Sequence, residues 1–229
     1  MQIRIATWNL HRCVGRDGVM SHTRCARVLR EIDADLVALQ EVESHPGHEQ
    51  DALAHLARET GSQAVAGVTM AREDAHYGNA LLTRLPLDEV RHHDLSVAGR
   101  EPRAAIDVDF EAGACRVQVM ATHLGLRPAE RRMQVRQLIP LLQVQTCDLV
   151  VLLGDLNEWF LWGRPLRMLR RVFPDTPHRR GWPAQAPLLS LDRIWVHPRH
   201  ALGRLRVHRT ALTRIASDHL PLVADIVIE

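Results

Sequence analysis

Two polar side chains, Asp155 and Asn157, stand just after five consecutive apolar residues, 149–153, in the stretch LVVLLGDLNEW. An extended backbone points residues two apart the same way, so a carboxylate and an amide face one spot. Cation-assisted phosphate chemistry needs such a pair: an anionic oxygen near the metal or the attacking water, and a neutral donor for a phosphoryl oxygen. An Asx turn closing a strand uses the same two residue types and is the plainer reading of GDLN taken alone. Its company changes the balance. Asn9 follows the strand-like run 3–8, Glu41 ends LVALQ, His123 ends RVQVMATH, Asp192 sits in LDRIWV, and Asp218 and His219 precede LPLVADIVI. Acids, amides and imidazoles at the ends of so many apolar runs form a chemically compatible set.

The elements that must position these residues can be read from periodicity. The run 149–153 is apolar throughout, as expected of a central strand covered on both faces, and Gly154 ends it. Strands are expected over 3–8, 36–40 and 63–68, and alternating apolar and polar residues predict antiparallel strands over 87–95, 103–110 and 115–123. Ser21 is placed to cap a helix reaching Ile32, a second helix is expected over about 49–60, and Pro128 fits the first turn of a helix running to Leu142. The amphipathic segment 160–173 reads as a further helix with Arg164, Arg167, Arg170 and Arg171 on its wet side. A core-facing helix and one lying on lipid share that pattern, and the core-facing reading is preferred. The loop 178–189, with Arg179, Arg180 and Trp182, has the residue types to hold a phosphate and to stack a base or cover an acyl group, or to be a solvated loop with one packed ring.

Composition narrows the classes. The chain has 229 residues with 46% hydrophobic and 24% charged content, which suits one folded domain over 1–229 and excludes a disordered or fibrous class. No apolar run approaches the roughly 20 residues of a membrane span, and no signal peptide is visible, so a cytoplasmic protein is expected. The four cysteines form no CxxC pair or Cys/His cluster, which argues against a zinc knuckle and for reduced thiols. All 29 basic residues are arginine, which removes Schiff-base lysines and Walker-type phosphate loops. The net charge of +2 is too small to mark the whole protein as a polyanion binder.

The stretches TWNLH, LQEV, YGNALLTR, ATHLG, GDLNEW, LDRIWV and SDHLPL, in this order between residues 6 and 222, resemble the endonuclease/exonuclease/phosphatase superfamily. The resemblance implies an α/β four-layer sandwich, two packed mixed β-sheets flanked by helices, with the active site at one end. It implies a Mg²⁺ site, open to Mn²⁺ as a substitute, in which Glu41 is the principal carboxylate with Asn9 close by and Asp218 in the metal shell. Asp155 would orient or deprotonate water, Asn157 would hold a phosphoryl oxygen, and His123 and His219 would donate to non-bridging oxygens. Asp192 would fix the His219 ring, although a salt bridge to neighbouring Arg193 is a rival for its carboxylate. Arg103, Tyr77 and Asn79 match positions that line the phosphate site. His11 stands where some nucleases of the family carry a second acidic ligand, which puts a two-metal arrangement in doubt.

The resulting expectation is a metal-dependent phosphoric ester hydrolase acting on nucleic acid, phospholipid or a small metabolite. A nuclease-like phosphodiesterase is the first reading. The alternatives are a phosphomonoesterase for a small metabolite or inositol phosphate, a sphingomyelinase-like lipid phosphodiesterase, and a non-catalytic phosphate-binding module. No protein partner is evident.

Overall fold

The structure, a computed structural model, describes residues 1–48, 51–72 and 75–228. Apolar residues on both sides of the pleat force each main strand to be covered twice, and the chain meets this demand with two sheets and outer helices. The strands are β1 (Gln2–Asn9), β2 (Leu36–Ser44), β3 (Gln63–Ala71), β4 (His76–Thr83), β5 (Glu89–Asp94), β6 (Ala104–Ala112), β7 (Cys115–His123), β8 (Leu149–Asp155), β9 (Asp192–His197), β10 (Leu202–Val207) and β11 (Leu222–Val227). One sheet has the order β10-β11-β1-β2-β4-β3 and the other β5-β6-β7-β8-β9. The helices are α1 (His22–Ile32), α2 (Ala52–Thr60), α3 (Pro128–Leu138), α4 (Arg164–Leu169) and α5 (Thr213–Ala216).

Three apolar layers follow from the alternation. Ile3, Ile5, Leu36 and Leu81 of the first sheet meet Ile106, Val119, Val151 and Ile194 of the second between the sheets. Their neighbours on the opposite faces, Ala6, Trp8, Val37 and Leu39, pack under Val28, Leu29 and Ile32 of α1. On the other side, Met120, Val150, Leu152 and Trp195 pack under Val135 and Leu138 of α3 and Leu166 and Leu169 of α4. The expected sandwich of two mixed sheets flanked by helices is therefore the observed fold.

Two parallel pairs point the site residues to one rim. Strand β1 runs parallel to β2, with Asn9 opposite Gln40, and β7 runs parallel to β8, with His123 opposite Asp155. Antiparallel β9 then sets Asp192 opposite Asp155, so His123, Asp155 and Asp192 lie level on three adjacent strands and share a face. Glu41 comes one residue after Gln40 and would face away, but the ladder is irregular between Leu39 and Val42 and Glu41 has φ 54°. This uncommon conformation for a non-glycine residue reorients the carboxylate. Gly154 is required where it stands: its φ is 139°, and a Cβ there would lie 1.8 Å from the Thr122 carbonyl oxygen.

Several sequence expectations are shortened. The α1 cap is as expected, with the Ser21 hydroxyl accepting from Arg24 N–H. The second helix is α2, and its expected first residue, Glu49, lies outside the described residues. The helix from Pro128 stops at Leu138, because Pro140 cannot continue an α-helical ladder. Most changed is 160–173, where only Arg164–Leu169 is helical. Gly163 caps the helix and Pro165 sits in its first turn, so helix starts there and cannot extend back through Phe160. Leu166, Leu169 and Phe173 are buried as a core-facing helix requires, whereas Trp159, Phe160 and Trp162 are left exposed on the preceding turn.

Candidate active site

Asp155 is buried at the end of β8 and is the hub of the rim. Its Oδ1 accepts from the Asn157 backbone N–H at 2.9 Å, closing an Asx turn, and its Oδ2 accepts from Asn9 Nδ2 at 3.2 Å. The same Oδ2 lies 3.7 Å from Nε2 of His123 and 3.7 Å from Nε2 of His219. The turn and the site are thus one arrangement, not competing ones.

The two imidazoles have opposite characters. Nδ1 of His219 donates to Oδ2 of Asp192 at 2.8 Å. Burial disfavours the charged ring, but Asp192, by charge and hydrogen bond, and then Asp155 and Asp218 outweigh it, and the His219 pKa is pushed up to about 10. Trp8 Nε1 donates to the His219 carbonyl at 2.9 Å and the His219 N–H donates to Ser217 Oγ, so the backbone of this residue is fixed as well. His123 is buried without a carboxylate hydrogen bond. Burial pushes its pKa down to about 3, with Arg103 and His219 adding to the effect against the pull of Asp155. Asn157 Nδ2 donates to His123 Nε2 at 3.0 Å and to the Leu124 carbonyl at 2.8 Å. The His123 ring is therefore neutral and accepts at Nε2, where a donor was expected, and both amide hydrogens of Asn157 are already engaged.

Asn9, Glu41, Tyr77, Arg103, His123, Asp155, Asn157 and His219 line one cleft of about 370 Å³. Asn9 Nδ2 also donates to Glu41 Oε1 at 2.9 Å, while its Oδ1 accepts from the His11 backbone N–H at 3.0 Å. Asn9 thereby steadies two carboxylates but turns its own oxygen away from them. Glu41 of β2 and Asp218 of the loop before β11 converge: one oxygen of each is 3.7 Å from His11 Nδ1, beyond hydrogen-bond length. Asp192 stands behind His219, with its Oδ1 buried and unpartnered among the described residues. Arg193, its expected rival partner, makes no ion pair with it among the described residues, as opposite strand faces require. Arg103 donates to Glu101 at 2.6 Å, and burial, with Glu41 next, raises the pKa of the Tyr77 hydroxyl. Asn79 is set back from the cleft and donates to the Ala104 carbonyl at 3.2 Å.

Two sets of candidate metal ligands lie at this end of the sandwich. Glu41 and Asp218 are partly exposed carboxylates, the oxygen-donor type that suits an ion retaining waters. Asp155, Asp192 and His219 offer ligand atoms all within 4.8 Å of one another, but the His219–Asp192 hydrogen bond spends one atom of each.

Some of the cleft was not read from sequence. Arg12, Glu43, Met70, Arg72, Glu101 and Leu126 also line it. Behind it, Arg131 of α3 and Glu158 form a buried ion pair at 3.2 Å, and Glu158 was visible only as part of GDLNEW. Trp182 Nε1 donates to Asp218 Oδ2 at 3.2 Å and its ring centroid lies 6.4 Å from that of His219, so the aromatic of 178–189 stands beside these two residues.

A family model for the endonuclease/exonuclease/phosphatase family matches residues 6–219. The chain belongs to that family. Family members are generally hydrolases acting on phosphoesters. The uncharacterized protein YbhP of Escherichia coli (strain K12) is 33% identical over 249 residues, covering 97% of this chain and 95% of the relative. The same fold is seen in the endonuclease/exonuclease/phosphatase from Bacteroides vulgatus, with TM-score 0.80, 16% identity and complete coverage of both chains. It is seen again in the human nocturnin catalytic domain with bound sulfate anion, with TM-score 0.71, 21% identity, and 100% of this chain matched to 95% of that one. No helix of the described residues is long and apolar enough to cross a membrane.

Proposed function

We propose that this member of the family is a divalent-metal-dependent phosphodiesterase that hydrolyses its substrate by direct attack of water. The observation that carries this reading is the placement of one carboxylate oxygen of Asp155 3.7 Å from Nε2 of a His219 ring held cationic by Asp192. Asp155 orients the water and takes its proton. His219 donates from Nε2 to the phosphoryl or leaving oxygen as negative charge grows there, and a preorganised cation in a dry site is worth far more than one in water. Asp192 keeps that proton on the ring and fixes its direction. The Asn157–His123 pair holds the floor of the site, and Arg103 and Tyr77 face the substrate phosphate. Glu41 and Asp218 would hold Mg²⁺ or Mn²⁺, with Asn9 steadying Glu41 through its hydrogen bond. When bound, the ion supplies Lewis-acid polarisation of a phosphoryl oxygen and lowers the pKa of water.

The test is a side-by-side assay on abasic duplex DNA, plain DNA, a choline phospholipid, an inositol phosphate and a bis-aryl phosphodiester. At least one diester is expected to be cleaved with Mg²⁺, to be spared in excess chelator, and to be cleaved again when Mg²⁺ or Mn²⁺ is restored. Undiminished cleavage in chelator would remove the metal from the reaction, and release of inorganic phosphate from the inositol phosphate alone would make the enzyme a monoesterase.

A further inference from the structure

The exposed apolar side chains include five gathered beside the cleft. Leu126, Trp159, Phe160, Trp162 and Leu188 are 55–70% exposed and come from the loops that follow β7 and β8 and from 182–189. They are held, not loose. The buried Arg131 donates to the Leu126 carbonyl at 2.7 Å and pairs with Glu158, which accepts from the Phe160 N–H at 3.2 Å. The Phe160 and Trp162 rings pack at 5.3 Å and those of Trp159 and Trp182 at 6.1 Å, and the Leu188 N–H donates to the Trp182 carbonyl. Rigid support keeps these side chains in water where collapse onto the core would bury them.

Next to this rim lies a basic cleft. Arg132 and Arg136 of α3 and Arg164, Arg167 and Arg171 on and just after α4 line a cavity of about 290 Å³ together with Met168. None of these five guanidiniums forms an ion pair among the described residues, whereas Arg4, Arg84 and Arg91 elsewhere are paired with aspartates. Of the acids between 126 and 171, Glu130, Asp155 and Glu158 are buried, and Asp148 bonds the Arg116 N–H. The protein's charge is nearly balanced, yet the lining of this cleft holds five arginines and no acid. Arg164 follows Trp162 by two residues, and α3 begins two residues after Leu126, so the rim and the cleft are continuous.

We propose that this face docks on an anionic phospholipid membrane, with the apolar rim entering the interface and the arginine cleft holding lipid phosphates. Trp, Phe and Leu beside a belt of arginines is the pattern that seats in the headgroup region. A single-stranded nucleic acid fits less well: Leu126 and Leu188 offer no ring to stack on, and the four aromatic rings are packed in pairs tilted by 37–38° instead of standing apart to receive bases. Docking would bring phosphate diesters of headgroups to the catalytic cleft, a consequence that rests on the function proposed above.

Vesicle flotation of the whole chain in Mg²⁺-free buffer tests the docking without turnover. The protein is expected to float with phosphatidylcholine vesicles containing about 30 mol% phosphatidylglycerol, and to do so less at high salt. Phe160→Ser with Trp162→Ser should weaken binding about tenfold or more. Arg132→Gln, Arg136→Gln and Arg167→Gln together should weaken it about a hundredfold, roughly fivefold for each arginine. Both variants should unfold at the wild-type temperature. Equal flotation with and without the anionic lipid, or flotation that survives both sets of substitutions, would overturn the proposal. So would binding of a single-stranded oligonucleotide, and not of vesicles, that the same substitutions remove. Loss of all esterase activity with flotation intact would strike the proposed function and leave the docking face standing.

Discussion

Replacing Asp155 with asparagine is expected to lower phosphodiester turnover by about four orders of magnitude while leaving the fold in place. Asparagine matches the shape of the side chain, and its carbonyl oxygen can still accept from the Asn157 N–H that closes the turn. What disappears is the negative charge at Oδ2, which lies 3.7 Å from His219 Nε2 and accepts from Asn9 Nδ2, and with it the group that can orient a water and receive its proton; one hydrogen bond from Asn9 is lost as well. His219 keeps its closer partner Asp192, so no buried cation is left unpaired and the melting temperature should change by only a few degrees. Turnover near the wild-type rate would remove Asp155 from the chemistry. A collapse of the melting temperature would assign it to the fold.

Asp192→Asn should act through the imidazole and not through the substrate. Burial alone pushes the His219 pKa down, and the carboxylate of Asp192 is the largest opposing influence. Without it the ring loses its proton near neutrality, and kcat should fall by about three to four orders of magnitude at pH 8, in line with the loss of an orienting carboxylate elsewhere. The pH profile separates this from simple damage. The wild-type enzyme should hold its activity until the pH approaches about 10. The variant should lose activity on the alkaline side of about pH 6.5 and recover part of it in acid. Stability follows the same group: a folded pKa raised from 6.5 contributes stability that is complete below 6.5 and is lost as the pH rises through about 10. Asp192→Asn should remove that decline, which thermal melts across the window would record. An unshifted alkaline limb in the variant would show that His219 does not owe its proton to Asp192.

The sequence located the rim because buried strands leave a readable mark. Asn9, Glu41, His123 and Asp155 each end an apolar run, and parallel pairing carries such ends to one side of a sheet. The sandwich was legible for the same reason, since strands apolar on both faces demand cover on both. Protonation was not legible. His123 and His219 look alike in sequence, and only complete burial for one and a carboxylate at 2.8 Å for the other send them in opposite directions. The Arg131–Glu158 pair joins residues 27 apart and reads in sequence as ordinary surface charge. The segment 160–173 misled because its apolar spacing is helical, whereas Gly163 and Pro165 fix where helix can begin. The aromatic residues before them form the exposed rim that periodicity had assigned to a helix.

The most direct measurement is single-turnover hydrolysis of a bis-aryl phosphodiester in water labelled with heavy oxygen, with Mg²⁺ present. Direct attack of water at phosphorus predicts one labelled oxygen in the phosphomonoester product, none in the released phenol and none in the protein. Label in the phenol or in a protein carboxylate, or no Asp155-dependent product at all, would contradict hydrolysis by water at this cleft.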